Sequence, residues 1–253
     1  MTEESHSIDT ATGAEAPAEL SQERVRRIFG AIARQYRRFN AFSSFGLYRS
    51  WMRRTVDAAG LTPASRMIDL AGGTGDISFA AARRNPPAHI QLTDYTAEML
   101  EVAQERFEAG ESMGVPMDFE VVDAQDIPYS DESFDAATMA YGIRNMPDRK
   151  RALSEMLRVL KPGGTLVCLE FSTPPNPVWR SLYGFYLKHL IPFWGGLITG
   201  DRKGFVYLSQ SIKAVPRQEA LARMFEEVGF EHVEWTNCTG GIAAVHAARK
   251  PRF

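Results

Sequence analysis

The residues of this 253-residue chain that could do chemistry fall at three points. The run Asp69-Leu-Ala-Gly72-Gly73-Thr74-Gly75-Asp76 joins a short apolar stretch, Met67–Ala71, to one with helical spacing, Ile77–Arg84. Glycines there let a ligand approach the backbone closely, at the carboxyl edge of a sheet where strand–helix folds bind ligands. Asp94 closes a second apolar stretch, His89–Asp94, nineteen residues after Gly75. A carboxylate at that place can accept both hydrogen bonds of a ribose diol. Asp123 ends a third stretch, Asp118–Asp123, as Val-Val-Asp123-Ala124, where it can take an adenine amino group.

A dinucleotide would need much of this too. The full G-x-G-x-x-G is missing, however, because Phe79 and its neighbours supply no third glycine at the required place. Two acids at successive strand ends, with no phosphate cradle, suit an adenosine that carries a sulfonium: S-adenosylmethionine. Asp69, Gly72, Gly73, Thr74, Gly75, Asp94, Asp123 and Ala124 are the candidate cofactor residues. The plainer alternative is a glycine turn flanked by exposed capping acids.

These residues need a scaffold, and the pattern around them provides one. Ala97–Ala109 reads as a helix, Phe134–Ala140 as a fourth strand and Arg149–Leu160 as a helix closed by a sharp turn at Lys161-Pro162-Gly163-Gly164. Thr165–Phe171 is a fifth strand; Arg217–Val228 is a helix with Gly229 beyond its end; His232–Asn237 and Ile242–Ala248 close as an antiparallel pair. Alternating strands and helices imply an α/β, doubly wound, Rossmann-like sheet, mostly parallel with an antiparallel closing strand.

Two segments interrupt the alternation. From Ser21, Val25, Ile28, Phe29, Ile32, Tyr36 and Phe39 share one helical face, with arginines at 24, 26, 27, 34, 37 and 38 opposite. Such a basic helix could lid the site (21–60) and meet anionic lipid, or simply solvate its arginines. Ser172–Val215 carries eight aromatics, including Trp179, Tyr183, Phe185 and Trp194, and reads as an insertion over the sheet, serving as an apolar lid, a homodimer contact or plain core. Residues 1–20 are polar, acidic and Ala-rich, the composition of a disordered tail without a secretory signal's basic start and apolar core.

Composition narrows the classes. A net charge of −2 argues against a whole-protein nucleic-acid footprint. Cys168 and Cys238 support neither a disulfide framework nor a metal-ligand spacing, which suits two inert thiols in a reducing, cytoplasmic setting. No stretch reaches the roughly 18 apolar residues of a membrane span.

Asp69–Asp76, Asp94, Asp123 and Lys161–Gly164 resemble class I methyltransferases. Phe29–Tyr36, Asn40, Ser44–Trp51, Tyr141–Met146, Leu169–Ser172 and Tyr207–Ile212 narrow the match, and the chain resembles the ubiquinone and menaquinone biosynthesis C-methyltransferases from about Arg24 to Lys250. Gly142-Ile-Arg144-Asn145 is the most discriminating block. The resemblance implies C-methylation of a polyprenylated quinol, most simply demethylmenaquinol to menaquinol, with contacts to S-adenosylmethionine from Thr74, Asp94, Asp123 and Ala124. The alternatives are a benzoquinol precursor of ubiquinone as acceptor, or a non-catalytic S-adenosylmethionine-binding scaffold of a quinone-biosynthesis complex. Two positions depart from the family's pattern: Tyr36-Arg37 stands where Tyr-Asp is frequent, and Ala140 where a hydroxyl residue is common. Ring methylation needs an oxyanion stabilised beside the reacting carbon. Arg144 could serve there, with Asn145 orienting a hydrogen bond, or Arg144 could brace the helix after strand four through a salt bridge. Tyr36 is a candidate base if the lid covers the site, or else a core aromatic.

Overall fold

A computed structural model describes residues 22–200 and 202–252. The tail expected at 1–20 lies outside the described residues. The sheet runs in the order β3-β2-β1-β4-β5-β7-β6, built from β1 (Arg66–Leu70), β2 (His89–Asp94), β3 (Met117–Val121), β4 (Phe134–Ala140), β5 (Leu160–Phe171), β6 (Glu231–Cys238) and β7 (Ala243–Arg249). Only β7 runs against the rest; it pairs antiparallel with both β5 and β6. The chain reverses on either side of β1, so the loops after β1 and β4 diverge there and leave a crevice at the carboxyl edge.

β1 occupies the middle of the sheet, and Met67, Ile68 and Leu70 are fully buried. A parallel strand covered on both faces is apolar at consecutive positions, which is why this segment reads as a run and not as an alternation. α2 (Tyr48–Ala58) and α3 (Asp76–Arg84) cover one face, where Trp51, Val56 and Phe79 meet Met67 and Ile90. α5 (Arg149–Val159) and α9 (Gln218–Glu227) cover the other, where Leu153, Met156 and Phe225 meet Ile68 and Leu166. α4 (Ala97–Glu108) packs Leu100 and Ala103 on Leu92.

The expected strands and helices recur with small shifts. β3 stops at Val121, so Asp123 sits in the following turn and not on the strand. Lys161–Gly164 belongs to β5 as a bulged entry: the register shifts between Phe134 and Ala136, and Gly163 takes φ +76°. Gly229, at φ +108°, follows α9 as expected.

α1 (Gln22–Ser43) crosses the top of the sheet. The aromatic segment forms α6 (Pro177–Phe185), a π-helical turn (Tyr186–Leu190), α7 (Ile191–Thr199) and α8 (Arg202–Lys213). α6 starts where Asn176 accepts hydrogen bonds from the amides of Val178 and Trp179, with Pro177 at the first helical position. Ile32 and Phe39 of α1 pack with Tyr183, Leu187, Ile191 and Phe205 into a separate small core. Of the arginines opposite α1's apolar face, Arg34 pairs with Glu105 at 2.6 Å and Arg37 with Glu111 at 3.4 Å, which turns them toward α4.

Candidate active site

Turns from four strand ends wall a cavity at the carboxyl edge. Gly72, Gly73 and Thr74 come from the turn after β1, Asp94 and Thr96 from β2 and its turn, Asp123 and Ala124 from the segment after β3, and Tyr141 and Asn145 from that after β4. Arg26, Phe29, Tyr36 and Asn40 of α1 form the roof. The first and fourth turns are tightly fitted. Ala71 and Tyr141 both hold left-handed backbone, φ +48° and +58°. A Cβ on Gly142 would stand 2.7 Å from that of Ala71, so this position has room only for glycine.

Asp94 is the best-placed cofactor ligand. Its Oδ2 accepts the Gly73 amide at 2.9 Å and its Oδ1 the Thr96 amide at 2.8 Å. A carboxylate can accept about four hydrogen bonds, so Asp94 held this way can also take a sugar hydroxyl. Burial raises the Asp94 pKa, and the two amides oppose that rise. Asp123 also reaches the cavity, but its Oδ1 accepts from the Gln125 amide at 2.9 Å, which fixes the carboxylate's direction. These donors and acceptors fit adenosine.

Three residues expected at the site do not line the cavity. Asp69 is fully buried beneath the turn, accepting from Ser78 Oγ at 2.6 Å and Thr138 Oγ1 at 2.8 Å; desolvation lifts its pKa to about 6. Gly75 opens α3 at φ +80°, and a Cβ there would press Phe79 and Leu92 at 2.7 and 2.8 Å; its role is packing. Arg144 lies inside the protein. Its Nη1 donates to Glu170 Oε1 at 2.9 Å and to the Tyr141 carbonyl, and its guanidinium sits 5.4 Å from the Phe171 ring centre. Of the two readings of Arg144, the brace matches these contacts.

Tyr36 does reach the cavity. Burial is the largest influence on its hydroxyl and raises its pKa, while Arg144 and a hydrogen bond with Asn40 pull it down. It therefore keeps its proton at neutral pH, and the arrangement suits a donor better than a base.

A second chamber of about 280 Å³ adjoins the first, and Tyr36, Asn40 and Tyr141 line both. Its walls are largely apolar: Phe39, Trp51, Phe171, Leu187 and Ile212 among others. Two hydroxyls in this lining, those of Tyr141 and Tyr183, are buried with no hydrogen-bond partner among the described residues. A buried unpaired hydroxyl costs about 1–3 kcal/mol, a cost that a ligand oxygen removes. Burial pushes both phenols well above the ordinary tyrosine range, and nearby Arg144 opposes the rise. Sequence reasoning singled out neither residue: Tyr141 stood inside a matched block, and Tyr183 was one aromatic of eight.

The frame is shared widely. The solved [4+2]-cyclase SpnF superposes with a TM-score of 0.67 at 19% identity, covering 92% of this chain and 97% of its own. Haemonchus contortus phosphoethanolamine N-methyltransferase 2, solved in complex with S-adenosyl-L-methionine, gives 0.58 at 16% identity over 83% of this chain and 58% of its own. At such identities the likeness speaks for the fold alone. Full-length sequence similarity goes further. A protein from Ectopseudomonas mendocina named ubiquinone/menaquinone biosynthesis C-methyltransferase UbiE is 39% identical over 94% of this chain and 93% of its own, and the one so named from Methylobacterium nodulans is 41% identical over 94% of each. Fold, cavity and relatives define an S-adenosylmethionine-dependent methyltransferase. The chain belongs to the ubiE/COQ5 methyltransferase family, whose pattern it matches over residues 18–250.

Proposed function

We propose that the chain methylates a ring carbon of a polyprenylated quinol, most simply converting demethylmenaquinol to menaquinol. The observation that carries this reading is the junction of the two chambers. A cavity whose acids and amides fit adenosine shares Tyr36, Asn40 and Tyr141 with a more apolar one, and the only buried unpaired side-chain groups lining the latter among the described residues are phenol hydroxyls. A quinol ring with a hydrocarbon tail matches that lining; a small soluble acceptor would leave it bare.

S-adenosylmethionine, when bound, supplies the electrophilic methyl group. The chain's own residues orient and polarise the ring. Tyr141 and Tyr183, held protonated by burial, donate to a ring oxygen and stabilise the negative charge it carries once its proton has passed to water before the site closes. That charge flows to the ortho carbon as the new carbon–carbon bond forms and the methyl–sulfur bond breaks, and the ring hydrogen then leaves as a proton. Arg144, fixed by Glu170, holds the Tyr141 carbonyl and so positions the Tyr141 ring. Asn145, on the cofactor side, orients the junction. Closure by α1 excludes water from the transferred group.

A benzoquinol on the ubiquinone path is the second reading, since the relatives' names cover both quinones. Mass spectrometry of lipid quinones from a strain lacking the gene separates the two. A naphthoquinone lighter by one methyl group supports the first; a benzoquinone lacking that methyl supports the second; an unchanged quinone pool overturns both.

A further inference from the structure

The mouth of the apolar chamber is framed by greasy side chains that face solvent. Phe45 and Leu47, in the turn between α1 and α2, stand at the lining with Trp179 and Leu182 of α6. Phe45 is 83% exposed. Beyond the rim, Val178, Leu182 and Phe185 fall at positions i, i+4 and i+7 of α6, and all three are exposed. Phe193 and Leu197 do the same one helix later, 57% and 69% exposed, and Phe193 and Phe42 both rest edge-on against Trp194 at 5.0 Å. Isolated exposed apolar residues are ordinary, but a contiguous set around a cavity mouth marks an interaction surface.

The segments that carry this surface are poor in acids. No Asp or Glu occurs between residues 24 and 56 or between 172 and 200. Arg49, Arg53, Arg54 and Lys188 are exposed in these segments and make no ion pair with any described residue. The other arginine face, on α1, is engaged elsewhere, Arg34 with Glu105 of α4 and Arg37 with Glu111 in the turn beyond it. Aromatic and aliphatic tips with cations around them fit the boundary of an anionic bilayer, where apolar groups enter the acyl region and basic groups meet phosphates. A protein partner of matching shape would more often supply acids to complement discrete cations.

We propose that the turn Phe45–Leu47 and the exposed faces of α6 and α7 dock this protein on an anionic lipid surface, with the chamber mouth opening into the bilayer. The reading of the chamber as a quinol site is deepened by this, since the prenyl tail would then remain in the membrane while the ring enters the protein. Docking is tested separately from chemistry. The purified chain is sedimented with vesicles of phosphatidylethanolamine and phosphatidylglycerol, and in parallel with vesicles of phosphatidylcholine alone. Binding to the anionic vesicles, at least tenfold weaker on the neutral ones and weakened by salt, is the expected result. A Phe185→Ser/Leu197→Ser variant, whose residues lie outside both chambers, is expected to lose at least tenfold in vesicle binding. It should keep its thermal midpoint, its affinity for S-adenosylmethionine and its turnover of a short-tailed, water-soluble quinol. Undiminished vesicle binding by that variant overturns the proposal. So does a dimer, seen by light scattering, that the same substitutions dissolve, because the patch would then be a contact between copies. Absent turnover of the short-tailed quinol with normal vesicle binding would strike the quinol reading and leave the docking surface standing.

Discussion

Two buried acids and two buried phenols show how single residues work in this protein. Asp69 is the acid whose setting departs most from its place in the sequence motif: it anchors the turn from below. Its folded pKa of about 6 lies above the roughly 3.9 of an unfolded chain, so the folded state binds its proton more tightly. Asp69's contribution to stability is therefore fullest below about pH 4 and falls as pH rises toward 6, by about 3 kcal/mol in all. Urea midpoints of the wild type and of Asp69→Asn, compared from pH 4 to 7.5, should diverge across that window and run parallel above it; parallel lines throughout would refute the assignment. Tyr183→Phe keeps the ring and removes the hydroxyl. We expect kcat to drop about ten- to a hundredfold with affinity for S-adenosylmethionine unchanged, as for loss of one donor to a developing oxyanion. Steady-state kinetics beside calorimetry checks this, and an unaltered kcat removes Tyr183 from the chemistry.

At the scale of elements, the strand ends were legible and the depth of each side chain was not. Glycines and acids in Asp69–Asp76 mark a turn, yet only some of those residues face the ligand, because the turn rests on others. Asp69 and Thr138 share the underlying layer through a hydrogen bond that spans sixty-nine positions, which no local pattern reveals. Tyr141 gains its place from a left-handed backbone on a non-glycine residue, for which the sequence carries no signal beyond the glycine that follows. The aromatic segment reads as an insertion, but its three helices and the chamber they line depend on long-range packing with α1. Gly142→Ala should cost about 1–3 kcal/mol in urea unfolding through overpacking against Ala71, and weaken cofactor binding in calorimetry. Phe39, 1% exposed and 4.2 Å from the Phe205 ring, ties α1 to α8. Phe39→Ala should leave amide exchange in the sheet slow while accelerating it along α1; uniform acceleration would mean that α1 is not a separable unit.

For the molecule as a whole, alternation pointed to a mostly parallel sheet with an antiparallel close, and short blocks pointed to the family, while the order of the strands follows only from the structure. That the apolar chamber exists, and that it meets the cofactor cavity, follows only from the assembled fold. The assembled site predicts that S-adenosylmethionine at a hundred times its Kd stabilises the protein by about 2.7 kcal/mol, which for a chain of this size raises the Tm by about 5–11 °C. Differential scanning fluorimetry measures it, and NADH serves as the control that should do nothing.

α1 carries Arg26 and Phe29 over one chamber and Phe39 and Ser43 over the other, with Tyr36 and Asn40 bordering both. S-adenosylmethionine and the quinol proposed above would thus press on the same span of helix. Whichever arrives first has already met the entropic cost of quieting that span, so its successor binds more tightly, and by thermodynamic reciprocity the favour is returned in equal measure.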